Sequence, residues 1–426
     1  MKPRVVIVGA GFAGLWAVRT LVKAPVDVLL IDRNNYHTFL PLLYQVAAAE
    51  LEAEEIAYPV RSIFKNFPQV DFALATVKEI DCEKKVVKTN EYELPYDYLI
   101  LATGSVPHTF SVPGVWDHAF FLKTLEDGVA LKNHIICSFE KAAQIGKKAI
   151  EAGYLNFVII GGGATGVEYA GALSELIQGP IIREYSNIDV SAVRVILLEA
   201  AESLVGNMPN TIRQYTLFKL RQMGVEVRLK TKVVAVTDTG VTLDTGEKIS
   251  TQTVVWTAGV RGEPLASRSG LGTSVDGRVI VLPTLQLPNY PEIYVVGDAA
   301  LIHGEAGPLP MVAQVAIQSA VTAARNIIRQ LAGREPLAFH YHDRGSMITI
   351  GRNAAAAAIG SWTFKGFIAW LLWLVIHLFN LIGFRNRVIV LINWAWDYLF
   401  YERAVRFVFP AQVFFREKRQ ESCSKF

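Results

Sequence analysis

"RVVIVGAGFAG", residues 4–14, joins an apolar, β-branched run to three glycines spaced as G-x-G-x-x-G. The helix-compatible segment LWAVRTLV follows directly, so the stretch predicts a buried parallel strand that turns into a helix. Gly9 permits the tight turn, Gly11 lets the backbone approach a diphosphate, and Gly14 lets helix and strand pack closely. The diphosphate would lie at the helix N-terminus, where backbone N–H groups and the helix dipole favour negative charge. The stretch therefore predicts a Rossmann-like dinucleotide-binding unit.

An acidic residue stands where this motif needs one. The next apolar run, VDVLLID, ends at Asp32, eighteen residues after Gly14. A carboxylate at that strand end can accept a hydrogen bond from a ribose hydroxyl. We expect Phe12 and Ala13 in the glycine loop and Arg33 beside the acid to contact the same cofactor.

A second copy of the pattern lies in the middle of the chain. The run FVII is followed by Gly161, Gly163 and Gly166, with Thr165 inside the loop. The next strand, VRVILLEA, ends in Glu199. An acid there favours a free 2′-hydroxyl and repels a 2′-phosphate, so we expect NADH to be preferred to NADPH. The intervening loop, QGPIIREYSNIDVSA, leaves room for a compensating cation.

Two dinucleotide sites in one α/β chain predict two adenine cofactors that meet. We assign FAD to the first, N-terminal site and NADH to the second. A chain of 426 residues is long enough for two or three domains. The predicted organisation is a discontinuous FAD-binding domain (1–115 and 280–345), an NADH-binding domain (116–279) and a membrane-associating C-terminal region (346–426).

Composition excludes other classes of protein. The net charge is only +3 and there is no lysine-rich tract, so we expect no nucleic-acid partner. Hydrophobic residues make up 51% and charged residues 19%, which suggests contact with lipid. Cys82, Cys137 and Cys423 form neither a C-x-x-C pair nor a metal-ligand spacing, so we expect no metal site and a reducing compartment. The first strand begins near the N-terminus, so we expect no leader and a cytoplasmic enzyme body.

Further segments resemble the flavoproteins with two dinucleotide-binding domains, the family of the disulfide reductases and their relatives. YDYLILATGSVP (96–107) and VVWTAGV (254–260) resemble that family's two A-T-G segments. TLQLPNYPEIYVVGDAA (284–300) resembles its flavin-closing motif, which implies that Asp298 binds the ribityl or phosphate side of FAD. The resemblance covers roughly residues 1–350. It implies cofactor contacts at Thr103, Gly104, Ala258 and Gly259.

Within that family the chain resembles the type II NADH:quinone oxidoreductases, which pass electrons from NADH through FAD to quinone without pumping protons. Glu168 stands just inside the second nucleotide helix, AQVAIQ (313–318) matches the A-Q-x-A-x-Q segment, and the tail is apolar and aromatic. NNYHTFLPLLYQVAAAEL (34–51) resembles the segment beside the flavin ring. Some members supply a lysine where LIGFRNRV offers arginines, so no role is assigned there. Disulfide reductases and sulfide:quinone reductases need cysteines near LLYQVA or within 311–350, and this chain has none there.

Three side chains are candidates for contact with the quinone. Glu168 is expected in the first turn of its helix, where the helix dipole favours the ionised form. Its alternative roles are to complement that dipole or to hold the nicotinamide. Gln314 and Gln318 are four residues apart and share a helix face, so they could donate to quinone carbonyls or to the flavin. They could instead fix the helix to a sheet, and Gln318 is the stronger candidate for the quinone.

The tail predicts a membrane-lying helical hairpin. FIAWLLWLVIHLFNLIGF (367–384) has no charge, but as a helix it would be about 27 Å long against a hydrocarbon core of about 30 Å. From residue 361 onward there are nine Lys and Arg against four Asp and Glu, which suits anionic lipid. Basic residues flank both apolar runs, so we expect peripheral binding to the cytoplasmic face rather than a crossing. A homodimer interface could coexist with this. The alternatives for the whole chain are a reductase of quinone biosynthesis and a non-catalytic NADH-sensing flavoprotein.

Overall fold

The computed structural model describes residues 2–305, 307–400, 403 and 406–408, so the end of the predicted membrane region lies outside the described residues. The strands of the three principal sheets are, in chain order, β1 (Arg4–Val8), β2 (Asp27–Asp32), β3 (Val70–Leu74), β4 (Tyr98–Leu101), β5 (Phe120–Phe121), β6 (Asn156–Ile160), β7 (Arg194–Leu198), β8 (Val225–Arg228), β9 (Thr253–Trp256), β10 (Gln286–Leu287), β11 (Tyr290–Val295), β12 (Ser346–Gly351), β13 (Ala354–Ile359) and β14 (Trp362–Gly366). The helices used below are α1 (Phe12–Leu21), α2 (Leu43–Ala47), α3 (Leu125–Ile145), α4 (Ala164–Leu176), α5 (Asn210–Gln222), α6 (Ala313–Leu331), α7 (Phe367–Asn380) and α8 (Phe384–Phe400).

Short elements occupy the intervening chain. Additional strands lie at Tyr36–Thr38, Ala57–Pro59, Val77–Asp81, Val86–Thr89, Glu93–Pro95, Ser105–Pro107, Val233–Thr237, Gly240–Leu243, Lys248–Ser250, Val260–Gly262, Val279–Ile280, Ala300–Leu301, His303–Gly304 and Gly307–Pro308. Short helical segments lie at Leu40–Leu42, Ala53–Ile56, Val60–Phe64, Val115–His118, Lys148–Glu151, Ile177–Ile181, Ile182–Glu184, Val190–Ala192, Leu265–Arg268 and Gly297–Ala299.

The first of two compact units comprises the chain up to residue 38 together with 58–106 and 260–344. Its six-stranded sheet has the order β10-β11-β4-β1-β2-β3, and all neighbours are parallel except β10 and β11. Residues 5–8 of β1 are at most 6% exposed, as a parallel strand covered on both faces requires. On α6 the alanines at 316, 320, 323 and 324 are buried, which allows close packing against α1.

The second unit comprises 39–57, 107–259 and the chain from 345 onward. Its parallel five-stranded sheet has the order β5-β9-β6-β7-β8. The antiparallel sheet β12-β13-β14 and the hairpin helices α7 and α8 belong to the same unit. α4 packs on β12 so closely that a Cβ on Gly171 would lie 1.7 Å from the carbonyl oxygen of Ile350. The assignment of FAD and NADH to separate domains stays a prediction.

The hairpin helices are partly embedded in the second unit. Trp373 on α7 is 1% exposed, and Asn386 on α8 donates to the backbone oxygens of Glu54, Glu55 and Ala57. Among the described residues, no helix is both long enough and apolar enough to cross a membrane.

Candidate functional site

The first glycine loop of the first unit has the geometry of a diphosphate cradle. Gly9 has φ +107°, and its N–H donates to the carbonyl oxygen of Ile31 over 2.8 Å. A Cβ on Gly14 would lie 1.8 Å from the oxygen of Gly9, so only glycine lets α1 cross this strand end. A Cβ on Gly11 would meet nothing within 4 Å. That open space beside Gly11, at the N-terminus of α1, fits the diphosphate of FAD.

Asp32 at the end of β2 braces this loop. Its two carboxylate oxygens accept from the N–H of Ala10 over 2.6 Å and from that of Asn34 over 2.8 Å. Burial raises the pKa of Asp32, and the two backbone donors oppose the rise. A carboxylate oxygen accepts more than one hydrogen bond, so Asp32 can hold the loop and still receive a ribose hydroxyl.

His37 is a neighbour of the glycine loop that sequence reasoning did not single out. Its Nδ1 lies 2.9 Å from the carbonyl oxygen of Ala10, and its ring meets that of Phe12 edge-on. Burial lowers the pKa of His37 to about 4, so the ring is neutral and Nδ1 donates. Its buried Nε2 has no hydrogen-bond partner among the described residues. An orphaned buried acceptor beside the loop is what a site built around an absent cofactor would show. The only indication of this role for His37 in the sequence is its position in the 34–51 segment, which resembles the segment beside the flavin ring.

The third part of this unit's site is the turn after β11. Gly297 has φ +64°, and its N–H donates to the hydroxyl of Ser319 on α6 over 3.0 Å. Asp298 accepts from the hydroxyl of Ser105 over 2.6 Å. Ser105 directly follows Gly104, whose φ is +74°. The first A-T-G segment and the predicted flavin-closing motif therefore meet within the first unit.

The second glycine loop repeats the geometry of the first. Gly161 has φ +111°, and a Cβ on Gly166 would lie 1.9 Å from the oxygen of Gly161. A Cβ on Gly163 would meet nothing within 4 Å. Glu199 accepts from the N–H of Gly162 over 2.5 Å and from that of Ala201 over 2.7 Å. This loop therefore has the same open cradle and the same acid brace, which fit the dinucleotide part of NADH.

The second A-T-G segment packs against this glycine loop. A Cβ on Gly161 would lie 2.6 Å from the Cα of Ala258, and the hydroxyl of Thr257 donates to the oxygen of Ile160 over 2.9 Å. The oxygen of Gly259 accepts from the N–H of His108 over 2.9 Å. Ala258 and Gly259 thus lie at the carboxyl ends of the parallel strands, where a nucleotide binds in such sheets.

Glu168 differs from the sequence-based expectation in both position and charge. No acid occupies the first turn of α4; Glu168 lies one turn further in. Its carboxyl accepts from the N–H of Thr349 over 3.3 Å, and burial raises its pKa to about 8. The expectation that the helix dipole keeps Glu168 ionised is therefore wrong, because the loss of hydration outweighs the dipole at this depth.

Gln314 and Gln318 project from the first two turns of α6, as the spacing predicts. The side chain of Gln318 holds the backbone of His342 at two points: Nε2 donates to its oxygen over 2.9 Å, and Oε1 accepts from its N–H over 3.0 Å. Gln314 accepts from the N–H of Arg344 over 3.2 Å. Both amides thus fix the segment that ends the first unit, and their contact with a quinone stays a prediction. Glu168 belongs to the other unit.

A cavity of about 590 Å³ in the second unit, which sequence reasoning missed, has Glu168 in its wall. Its aromatic lining comes from Tyr44, Trp370, Trp373, Trp394 and Tyr398. Hydrogen bonds connect residues of this lining: Trp394 donates to Gln45 over 3.0 Å, and Gln45 donates to the hydroxyl of Tyr44 over 3.0 Å. The buried indole N–H of Trp373 has no partner among the described residues. The cavity therefore combines an aromatic part with a wall that is rich in charged and amide side chains.

The same cavity contains a buried cluster of charge. Arg403 is 7% exposed; its guanidinium pairs with Glu50 over 2.8 Å and with Glu175 over 3.3 Å. It also donates to the backbone oxygens of Ala48 and Ala172 over 3.0 and 2.9 Å. These residues are far apart in sequence, so no spacing rule could have found the cluster.

The chain is similar in sequence to known proteins along most of its length. The family model described as pyridine nucleotide-disulphide oxidoreductase matches residues 3–320. The chain is 38% identical to the type II NADH:quinone oxidoreductase Ndh of Mycobacterium tuberculosis, covering 99% of this chain and 93% of that one. It is 34% identical to the type II NADH:quinone oxidoreductase of Staphylococcus aureus, covering 83% and 88%.

Among solved structures, the NDH2 of Plasmodium falciparum in complex with NADH matches with a TM-score of 0.88 at 19% identity, over 94% of this chain and 99% of that one. This likeness confirms the α/β fold predicted from the two glycine loops. The sequence matches extend over nearly the whole chain, and so it belongs to the pyridine nucleotide-disulphide oxidoreductase family and, within it, to the type II NADH:quinone oxidoreductases.

Proposed function

We propose that this chain oxidises NADH and reduces a membrane quinone through bound FAD, by two-electron transfer and without pumping protons. One observation carries the proposal: each of the two units has a complete dinucleotide loop, braced by its own acid, in a chain of this family. A single loop would fit an ordinary dehydrogenase, whereas two loops fit an enzyme that passes electrons between two dinucleotides.

The first unit would hold FAD. The open cradle at Gly11 receives the diphosphate, Asp32 the ribose, and Asp298 the ribityl or phosphate side. Neutral His37 offers Nε2 as an acceptor beside the loop. When bound, FAD accepts a hydride equivalent and passes two electrons to a second substrate.

The second unit would hold NADH. Gly163 leaves room for the diphosphate, and Glu199 accepts from the ribose hydroxyl that NADH keeps free. A 2′-phosphate would bring negative charge against the Glu199 carboxylate, which selects against NADPH. Ala258 and Gly259, next to the second glycine loop, would lie beside this nucleotide.

Glu168, Gln314 and Gln318 are the proposed quinone contacts. With its pKa near 8, Glu168 is protonated at neutral pH and can donate a hydrogen bond or a proton to a quinone oxygen. Gln314 and Gln318 contribute neutral amides, which bind carbonyl groups without adding charge. The amide of Gln318 would exchange one of its bonds to His342 for the quinone.

Lipid contact is assigned to the hairpin helices. Both helices carry large apolar side chains on the surface of the second unit, from 45 to 82% exposed: Phe367, Ile368, Leu371, Val375, Phe379, Phe384, Leu391, Ile392, Trp396, Leu399 and Phe400. Many large exposed apolar side chains on two packed helices are typical of an interaction site. We assign it to peripheral binding at the cytoplasmic face of the membrane, where the quinone dissolves, and a homodimer could form beside it.

Rapid mixing tests the whole proposal. NADH should bleach the flavin absorbance of the purified holoenzyme, and a short-chain quinone added next should restore it within the turnover time. Bleaching without recovery would identify an NADH-binding flavoprotein that does not use quinone. An enzyme that recovers only with a biosynthetic naphthoquinone precursor would indicate the biosynthetic role.

A further inference from the structure

Glu168 shares its cavity in the second unit with three further carboxyl groups. Glu50 follows α2, Glu175 lies two turns beyond Glu168 on α4, and Asp397 lies on α8. Arg403 pairs with Glu50 and Glu175, and of the charged groups near Asp397 it has the largest effect on that carboxyl. We define Glu50, Glu175, Asp397 and Arg403 as the acid cluster.

Tyr44 lines the same cavity as the acid cluster and Glu168. Burial is the largest cause that raises the pKa of its hydroxyl, and the nearby Glu50, Glu168 and Glu175 raise this pKa further. Because Gln45 donates to this hydroxyl, the hydroxyl hydrogen of Tyr44 is available for an acceptor in the cavity. A hydroxyl placed among several carboxyls can receive a proton from one and pass its own to another.

The cavity also reaches solvent. Its wall includes the exposed side chains of Gln178, Arg183 and Gln222, together with the buried side chains of Tyr44 and Gln45. A volume of about 590 Å³ lined by carboxyl, hydroxyl and amide groups has room and partners for several waters.

We propose that Glu50, acting with Asp397 and Glu175 around Arg403, relays protons from solvent through this cavity to Glu168 during quinone reduction. This inference rests on the proposed function and on Glu168 as the quinone contact. The overall reaction is NADH + H⁺ + quinone → NAD⁺ + quinol. The hydride supplies two electrons and one proton equivalent, and the second proton must come from solution in every turnover. Glu168 donates that proton to a quinone oxygen and is then reprotonated from the acid cluster.

The protonation states suit a relay at neutral pH. Burial raises the pKa of Glu50 to about 8, while Arg403 opposes the rise and Glu175 and Asp397 reinforce it. Burial raises the pKa of Asp397 to about 7, opposed by Arg403 and by two further cations. Groups with such pKa values can both hold and release a proton near pH 7. The charged groups that face the acid cluster from neighbouring elements are Glu55, Arg183, Lys219, Arg352 and Arg406.

Glu50→Gln tests the relay, with Glu54→Gln as the matched control because Glu54 is exposed and does not line the cavity. The assay compares NADH oxidation with a quinone, which takes up protons, and with ferricyanide, which does not. We expect Glu50→Gln to lower kcat with quinone about tenfold, at the low end of general acid–base effects, since Glu175 and Asp397 remain. Turnover with ferricyanide, and both activities of Glu54→Gln, should stay within twofold of the wild type.

Chemical rescue separates a relay from a structural role. In Glu50→Ala, formate or acetate can enter the cavity and replace the missing carboxyl, so the quinone rate should recover at least threefold while the ferricyanide rate is unchanged. If the Glu50 variants do not fold, Asp397→Asn provides a second test. This variant should shift the pH profile of quinone turnover. Equal losses with both acceptors, or an unaltered quinone pH profile in both variants, would overturn the relay. A wild-type enzyme without quinone turnover would instead overturn the proposed function.

Discussion

The replacement Glu168→Gln should make this protein more stable, and increasingly so as the pH rises. The carboxyl has an ordinary pKa of 4.5 in the unfolded chain and a pKa of about 8 in the folded protein. Between these values the unfolded state releases the proton that the folded state retains. Each pH unit in this range therefore lowers the free energy of unfolding by up to about 1.4 kcal/mol.

The size of the effect follows from that difference. At pH 5 the penalty is under about 1 kcal/mol, and at pH 7 the full shift gives about 3 kcal/mol. Glu168 faces a cavity that admits water, which stabilises the charged form, so we discount the value at pH 7 to between 1 and 3 kcal/mol, on the order of half the full shift. Gln keeps the oxygen that accepts from Thr349 and cannot ionise, so it removes the penalty without removing that hydrogen bond.

The assay is the apparent melting temperature of the holoenzyme from pH 5 to pH 8. The difference between Glu168→Gln and the wild type should be near zero at pH 5 and should grow steadily up to pH 8. Glu151→Gln, at an exposed position on the short helix Lys148–Glu151, is the control and should show no such trend. A difference that is constant with pH, or a variant that is less stable at pH 8, would show that Glu168 is ionised in the folded protein.

Three further outcomes test the cofactor and membrane assignments. Gly11→Ala should fold but lose FAD, seen as lost absorbance near 450 nm. Gly163→Ala should keep FAD and raise KM for NADH about tenfold, because each added Cβ would occupy the space for a diphosphate. The reverse pattern would show that the FAD and NADH sites are exchanged. The wild type should have at least about tenfold higher kcat/KM for NADH than for NADPH, and Glu199→Gln should narrow that ratio; equal wild-type values would refute the role of this acid. Phe379→Glu with Leu399→Glu should weaken binding to anionic liposomes about tenfold or more with ferricyanide turnover unchanged, and unchanged binding would show that α7 and α8 are not the anchor.

The glycine loops could be predicted from sequence because their constraint is local and steric. Gly14 and Gly166 each approach a carbonyl oxygen only five residues away in the chain, at 1.8 and 1.9 Å for an added Cβ. The acids Asp32 and Glu199 follow at the end of the next strand, where the fold brings strand ends together. A local pattern of this kind predicts both the fold and the class of cofactor.

The cavity and the charge of Glu168 could not be predicted in this way. The hydrogen bond to Glu168 comes from Thr349, and the partner of Gln318 is His342 in an irregular segment. Burial of Glu168 depends on chain segments nearly two hundred residues apart, and helix position alone suggested the opposite charge state. The tail could be recognised as apolar, but not as a packed part of the second unit: Trp373 is 1% exposed.

The charge of the acid cluster follows from its burial. Arg403 pairs with Glu50 and Glu175, whereas no ion pair to Asp397 is seen among the described residues, and Glu168 lies in the same cavity. Burying an unpaired carboxylate is more unfavourable than protonating it, because a neutral carboxyl needs only hydrogen bonds. Burial accordingly raises the pKa of Glu50 to about 8 and that of Asp397 to about 7. The wall of this cavity has four acids and four cations, so burial rather than an excess of acids keeps exchangeable protons on Glu50 and Asp397, beside the proposed quinone contact.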